Sequence, residues 1–195
     1  MKIHHILGTL CLSFLLTLTQ AQHTLTNFKL PNANTGKMLE LKAFKNQRAV
    51  VLLFTSSHCA YSKNYRERLW ELYETYNQQG IVFLAINSND TALSPEDAYQ
   101  SMRDTRPYPF PYLKDANKAV AQELGATFNP EVFVFLPNKS AGTFTSVYQG
   151  KIDNMPIPNV RMRSAQAFLV DILDAICKGE TPAFTQTPPM GCKIR

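Results

Sequence analysis

No cysteine in this 195-residue chain is followed by another three positions later; the four stand at 11, 59, 177 and 192. Without a Cys-x-x-Cys pair or any His/Cys pair at ligand spacing, a structural zinc or a copper-delivery site is excluded, and His23 and His58 alone make no site. Runs of lysine and arginine are also missing. The formal net charge is +5 and the isoelectric point about 9.0, but the basic residues are scattered among acids and no nucleic-acid-binding motif accompanies them. Nucleic acid is therefore not an expected partner, and the charge reads as a solvated surface. After residue 21 no stretch is apolar enough to cross a membrane. Internal repeats and low-complexity tracts are absent as well.

What is present begins with a leader. Residues 1–21 carry a basic start (Lys2, with His4 and His5), an apolar run over 6–18, and Thr19-Gln20-Ala21 before Gln22. This is the pattern of a secretory signal peptide with a small-residue cleavage site. The run falls short of the roughly 20 residues of a membrane anchor, and no lipobox surrounds Cys11. Cleavage would leave 174 residues, enough for one domain with a proper core. It would lower the charge to +4, since Lys2 is the one charged side chain removed. The expected location is extracytoplasmic, periplasmic or secreted, with no membrane association after cleavage. Cys59, Cys177 and Cys192 remain, an odd number where disulfides persist, so at least one thiol is free or pairs transiently.

The chain is organised around residues 55–68. The six apolar residues Ala49–Phe54 before them read as a buried strand. After them, Tyr65, Leu69, Leu72, Tyr73 and Tyr76 fall at helical spacing. Cys59 thus stands where a central strand ends and a helix begins. The unpaired amides and dipole of a helix tip favour negative charge, so an exposed sulfur there is biased toward thiolate, the form that attacks disulfides and peroxides. The alternative is a small, inert cysteine filling the joint.

The remaining pattern gives residues 23–30 and 37–41 flanking the turn-rich 31–36 as a hairpin, a nucleophile helix over 62–79 stopped by Gly80, and a strand over 81–86. A helix capped by Ser94, with Pro95 in its first turn, runs to about Arg106. A short helix over 117–124 stops at Gly125, strands 132–136 and 143–149 pair antiparallel, and a last helix covers 165–178. Strand–helix alternation ending in a hairpin and a helix predicts α/β architecture, helices on both faces of a mixed sheet.

Ser57-His58-Cys59-Ala60-Tyr61-Ser62-Lys63-Asn64-Tyr65, then Arg68-Leu69, resembles the Asn-His-Cys-Pro-Tyr-Val-Lys-Ala-Tyr…Arg-Leu signature of a redoxin subgroup of the alkyl hydroperoxide reductase/thiol-specific antioxidant (AhpC/TSA) family, within the thioredoxin-like superfamily. The likeness continues through Ala85-Ile86-Asn87-Ser88-Asn89-Asp90, Phe110-Pro111-Tyr112-Leu113, Phe133-Val134-Phe135 and Gly191-Cys192-Lys193-Ile194, in the same order over about residues 25–195. Ser57 and Ala60 depart from it, so the helix-starting proline is missing. The resemblance implies a thioredoxin-like three-layer α/β/α fold with a mixed central sheet over residues 22–180, and an extended tail over 181–195 carrying Cys192.

It also frames the site. Thioredoxin-type enzymes place a second cysteine where this chain has Ser62, so Cys59 alone can form a mixed disulfide but cannot resolve it from within the motif. Ser62 is a candidate hydrogen-bond donor to a Cys59 thiolate, or simply a residue of the first helical turn. The partner thiol must come from elsewhere. The tail with Pro182, Pro188, Pro189 and Gly191 spans roughly 40 Å in thirteen extended steps, and its ending matches the subgroup's terminal motif, so Cys192 is the expected resolving partner; a static bridge or a free thiol are the other readings. Cys177, in line with Val170 and Leu173, reads as core filler. In thioredoxin-like proteins a cis-proline before the strand at 132–136 lies beside the nucleophile and leaves backbone groups for an extended substrate; Pro130 is that residue here. Lys63 and Arg66 share the face of Cys59 and serve either the thiol and an anionic substrate or solubility. His58 is a base or an outward-turned ring, Tyr61 and Tyr65 are packing residues, and Asp153 matches the subgroup without an evident role.

Typical peroxiredoxins use Pro-x-x-x-Thr/Ser-x-x-Cys with an arginine from a later strand. Ser56 is in place, but Leu52 replaces the proline and no arginine occurs over 129–136. The expected function is therefore an exported thiol–disulfide oxidoreductase with Cys59 as nucleophile, protein or small-molecule thiols and disulfides as partners, and no cofactor. The rivals are a peroxidase, with peroxide as substrate and Cys192 resolving a Cys59 sulfenic acid, and a non-catalytic binding module on the same scaffold.

Overall fold

A computed structural model describes residues 23–156 and 165–195; the expected leader lies outside them. In chain order the elements are β1 (Thr24–Leu25), β2 (Lys29–Pro31), β3 (Met38–Glu40), β4 (Ala49–Phe54), α1 (Ala60–Asn77), β5 (Ile81–Asn87), α2 (Tyr99–Thr105), β6 (Tyr112–Lys114), α3 (Ala119–Leu124), β7 (Phe128–Asn129), β8 (Glu131–Asn138), β9 (Thr143–Gly150), α4 (Phe168–Lys178) and β10 (Cys192–Lys193).

Six strands form one sheet in the order β1-β9-β8-β4-β5-β6. β4, β5 and β6 run parallel, while β8 runs antiparallel to β4 and β9 to β8. Because side chains alternate along a strand, β4 serves two cores. Ala49, Val51 and Leu53 join Tyr65, Leu69 and Tyr76 of α1 and Leu169, Ile172 and Leu173 of α4. Val50, Leu52 and Phe54 join Val120, Ala121 and Leu124 of α3 and Phe133 and Phe135 of β8. The result is the expected three-layer α/β/α arrangement around a mixed sheet. It explains why the Ala49–Phe54 run is apolar at every position: no residue of that strand meets water.

Four local expectations need correction. Only β2 and β3 form the hairpin; Thr24–Leu25 pairs instead with β9 at the sheet edge. The helix expected from Ser94 is broken. Pro95–Asp97 is a 3-10 turn, Ala98 is extended (φ −64°, ψ 145°), α2 starts at Tyr99, and Ser94 makes no side-chain cap. The cause is Asp97, whose carboxylate is drawn into the interior by four donors described below. α4 starts three residues later than expected, because Gln166 exchanges hydrogen bonds with Asn154 (3.2 and 2.9 Å) instead of beginning a helical turn. Tyr61 is 36% exposed, whereas Tyr65 packs inside as expected. The single tryptophan, Trp70, is 46% exposed on α1 and donates to Glu74 one turn on, at 3.0 Å.

Five tyrosines, Tyr65, Tyr76, Tyr108, Tyr112 and Tyr148, are buried, and burial pushes each phenol above its ordinary value near 10.0. At Tyr65 and Tyr76 the hydrogen-bonded carboxylates of Asp153 and Asp174 add to this. The folded state thus prefers the protonated phenols more than the unfolded chain does. The stability they contribute is complete below the unfolded value of about 10 and is lost as pH rises through it toward the folded values. Thermal melts between pH 9 and 11.5 should show a steep fall above pH 10, with phenolate absorbance rising together with unfolding.

Candidate active site

Cys59 is the N-cap of α1, with extended backbone (φ −78°, ψ 122°), directly after the loop that leaves the C-terminal end of β4. Its carbonyl accepts the Lys63 amide at 3.1 Å. Its sulfur is bonded to that of Cys192, with Cα atoms 5.8 Å apart, within the usual range for a disulfide. The exposed sulfur expected at the helix tip is a correction: Cys59 is 1% exposed, because Cys192 and the tail cover it.

The Asn129–Pro130 peptide bond is cis, as the resemblance implies, and the Asn129 carbonyl oxygen lies 3.0 Å from the Cys59 sulfur. A disulfide sulfur has no proton to donate there, whereas a Cys59 thiol has one. Glu131, fully buried just after Pro130, fixes this corner. One of its oxygens accepts the Thr127 and Phe128 amides at 2.9 and 3.1 Å, and the other accepts Gln149 Nε2 at 3.1 Å.

The tail reaches this corner through two anchors. Midway along it the Thr187 amide donates to the Gln149 carbonyl (3.0 Å), and the Thr187 hydroxyl accepts the Lys151 amide (3.0 Å) and meets the Tyr148 hydroxyl (2.7 Å). Gly150, at φ 142°, makes room for this: a Cβ there would lie 2.2 Å from Thr187 Oγ1. At the far end β10 pairs antiparallel with β7, setting Cys192 opposite Asn129 and Lys193 opposite Phe128, and the Ile194 amide donates to the Thr127 carbonyl at 2.9 Å. Gly191 passes so close that a Cβ would sit 2.1 Å from the Asn129 oxygen. Ile194 rests on the second core, at the rim of a cleft of about 590 Å³ that Lys118, Gln122 and Phe128 also line.

The other sequence-selected residues fall around this centre. Ser62 is fully buried in the first turn of α1, where its hydroxyl accepts the Ser56 amide at 3.4 Å and so closes the loop between β4 and α1. His58 is exposed; its Nδ1 is 3.7 Å from a Glu96 carboxylate and its amide donates to Ser56 Oγ at 3.1 Å. Lys63 is exposed on α1, and Arg66 is half-buried beside it, its Nε without a hydrogen-bond partner among the described residues. Cys177 is a half-buried free thiol packed against the first core, away from the disulfide. Asp153, left without a role by the sequence, accepts from the Tyr65 hydroxyl at 2.6 Å, pairs with Arg68, and accepts the Met155 amide at 2.6 Å. It is a structural tie between α1 and the segment after β9.

Sequence reasoning missed a buried polar node behind the disulfide. Asp97 accepts from Ser56 Oγ (2.7 Å), the Ser57 amide (2.6 Å), Asn87 Nδ2 (2.8 Å) and Asn89 Nδ2 (2.8 Å). Lys114 Nζ donates to Asn87 Oδ1 (3.1 Å) and the Asn89 carbonyl (2.7 Å). Burial pulls the Lys114 ammonium below its ordinary value, opposed by Asp97 and Asp115. The only signal in the sequence was a polar cluster, Asn87-Ser88-Asn89-Asp90, directly after an apolar strand. Ser56, the residue in the peroxiredoxin Thr/Ser place, is committed to Asp97 and Asn89 by its hydroxyl.

Fold and site together define a thioredoxin-fold protein in which a cysteine at the tip of the first long helix is disulfide-bonded to one on the C-terminal strand. The AhpC/TSA family model matches residues 21–150, and the chain belongs to that family, among thiol oxidoreductases and peroxiredoxin-like enzymes. Among solved structures, an uncharacterized conserved protein from Geobacillus kaustophilus is 31% identical with a TM-score of 0.78, over 87% of this chain and 88% of that one. A hypothetical protein from Sinorhizobium meliloti 1021 is 32% identical with a TM-score of 0.78, over 90% and 94%. Peroxidoxin BcpB from Mycobacterium tuberculosis shares the fold at 16% identity and a TM-score of 0.55, over 80% and 94%. No curated protein sequence matches the chain. Among the described residues no helix is long and apolar enough to cross a membrane.

Proposed function

We propose that this chain is an exported thiol–disulfide oxidoreductase that cycles between a Cys59–Cys192 disulfide and the corresponding dithiol. The observation that carries the reading is the seat of Cys192: the tail crosses the domain to lay this one cysteine beside Pro130 and onto Cys59. Starting from the dithiol, the Cys59 thiolate attacks a substrate disulfide, forms a mixed disulfide and expels one substrate thiolate. The Cys192 thiolate then attacks the Cys59 sulfur, releases the second substrate thiolate and leaves Cys59–Cys192. Run backward, the same steps oxidise a substrate dithiol. Ser62 holds the loop that carries Cys59, while Pro130, His58 and Lys63 face the substrate. Residues 1–21 serve as the export signal, 22–180 as the catalytic domain and 181–195 as the arm bearing the resolving thiol; the substrates are protein or small-molecule thiols and disulfides.

A peroxidase finds less support, since Ser56 is turned to Asp97 and residues 129–136 supply no arginine. Non-reducing peptide mapping, with stopped-flow peroxide consumption beside it, tests the reading. A Cys59–Cys192 linkage that a mild reductant opens, with slow peroxide loss, supports it. Rapid Cys59-dependent peroxide loss replaces it with the peroxidase, and a linkage inert to thiols replaces it with a binding module.

A further inference from the structure

Asn89 belongs to neither cysteine's element, yet its side chain bonds to the segments around both. It sits just past β5 and is 4% exposed. Its amide nitrogen donates to Ser56 Oγ at 2.9 Å and Asp97 Oδ2 at 2.8 Å, the framework of the loop that carries Cys59. Its amide oxygen accepts from Asn129 Nδ2 at 3.2 Å and from the Arg195 backbone amide at 3.1 Å. The next residue closes the clamp, with the Asp90 amide donating to the Arg195 carbonyl at 2.6 Å. Both donors are directed to oxygen acceptors and the oxygen faces only N–H groups, so all its bonds are made in one orientation of the amide. Asn89 is the point where the Cys59 loop, the residue before Pro130 and the last residue of the tail meet.

We propose that Asn89 is a positioning residue for the Cys59–Cys192 couple: by holding the C-terminal strand against the cis-proline corner, it sets how readily that disulfide is reduced. The inference rests on the dithiol/disulfide cycle proposed above. In the reduced chain the sulfur–sulfur bond no longer holds the tail, and the concentration of Cys192 that Cys59 experiences depends on the noncovalent seat of β10. A seated tail makes closure of the disulfide more favourable and its reduction harder. In the reaction read out, two glutathione thiols are oxidised to glutathione disulfide as Cys59–Cys192 becomes two thiols, and the position of that equilibrium measures the seat.

The test equilibrates the chain in glutathione buffers of stepped ratio, traps it with acid, alkylates it and resolves the redox forms by mass spectrometry. Asn89→Ala removes the side-chain half of the clamp and leaves the Asp90 amide on the Arg195 carbonyl. Arg195→Pro removes the backbone amide whose hydrogen bond Asn89 accepts, together with the exposed Arg195 side chain, and a proline there favours extended backbone at Ile194. Each substitution is expected to make the disulfide about threefold to tenfold easier to reduce, the range of one net hydrogen bond. The double variant should fall short of the product of the two shifts, because both act on one contact. Unchanged equilibria overturn the proposal, as do two shifts that simply multiply, since Asn89 would then act through the core and not the tail. Should Asn89→Ala fail to fold, Arg195→Pro decides alone: a shift in this range supports the clamp and none overturns it. A wild-type chain whose cysteines do not interconvert with glutathione sinks the underlying cycle as well; a normally exchanging wild type with unmoved variants sinks this inference only.

Discussion

Cys59→Ser is expected to reduce thiol–disulfide exchange to the uncatalysed rate, whereas Cys192→Ser should keep the first step and accumulate a mixed disulfide on Cys59. The asymmetry follows from the roles the geometry supports. A serine hydroxyl matches the shape of the thiol at the tip of α1 but is not ionised near neutrality and forms no bond to a substrate sulfur. Removing Cys192 takes away only the thiol that resolves the adduct. Chromatography of a disulfide-bonded peptide substrate, with intact-mass analysis of the protein, reads both outcomes. Exchange at the wild-type rate by Cys59→Ser would move the nucleophile to Cys192 or Cys177.

Stability provides the second large effect. Cys59 and Cys192 are separated by 133 positions, so their bond closes more than half of the chain into a loop. For loops of this size the chain-entropy estimate is about 4–5 kcal/mol, and native disulfides commonly contribute about 2–5 kcal/mol. Cys192→Ser, compared with the oxidised wild type, is therefore expected to lose about 2–5 kcal/mol and to melt roughly 5–15 °C lower for a chain of this length. Calorimetry of three samples decides it: oxidised wild type, reduced wild type and Cys192→Ser. The last two should melt together. A variant as stable as the oxidised wild type would mean that the bond constrains nothing the fold does not already constrain.

The parts of this molecule legible in its sequence are those set by neighbours along the chain. Ala49–Phe54 is apolar throughout because both faces of β4 are buried, and the strand end, the cysteine and the helix onset follow one another without interruption. Pro130 needed more than local physics, since X–Pro bonds are mostly trans; only the family pattern pointed to cis. What stayed hidden depends on side-chain hydrogen bonds between distant segments, which leave no periodicity. Ser94 and Pro95 marked a helix start and Asp97 drew no reading of its own, yet its bonds to Ser56 and Ser57, about forty positions earlier, break the helix that local signals favoured. Asn89 and Arg195, 106 positions apart, meet for the same kind of reason. Asp153 was visible as a family position, but its partners Tyr65 and Arg68 could be assigned only once α1 and the end of β9 were placed side by side.

The placement of Trp70 has a practical outcome for anyone following the chemistry optically. Eleven residue steps, about 16 Å along the axis, separate it from Cys59, and its indole already faces solvent and Glu74. Disulfide quenching acts at near-contact range, so intrinsic emission stays nearly constant while the cysteine pair is opened and closed. Spectroscopic redox titration of this chain therefore calls for an indole or dye introduced near the cis-proline corner.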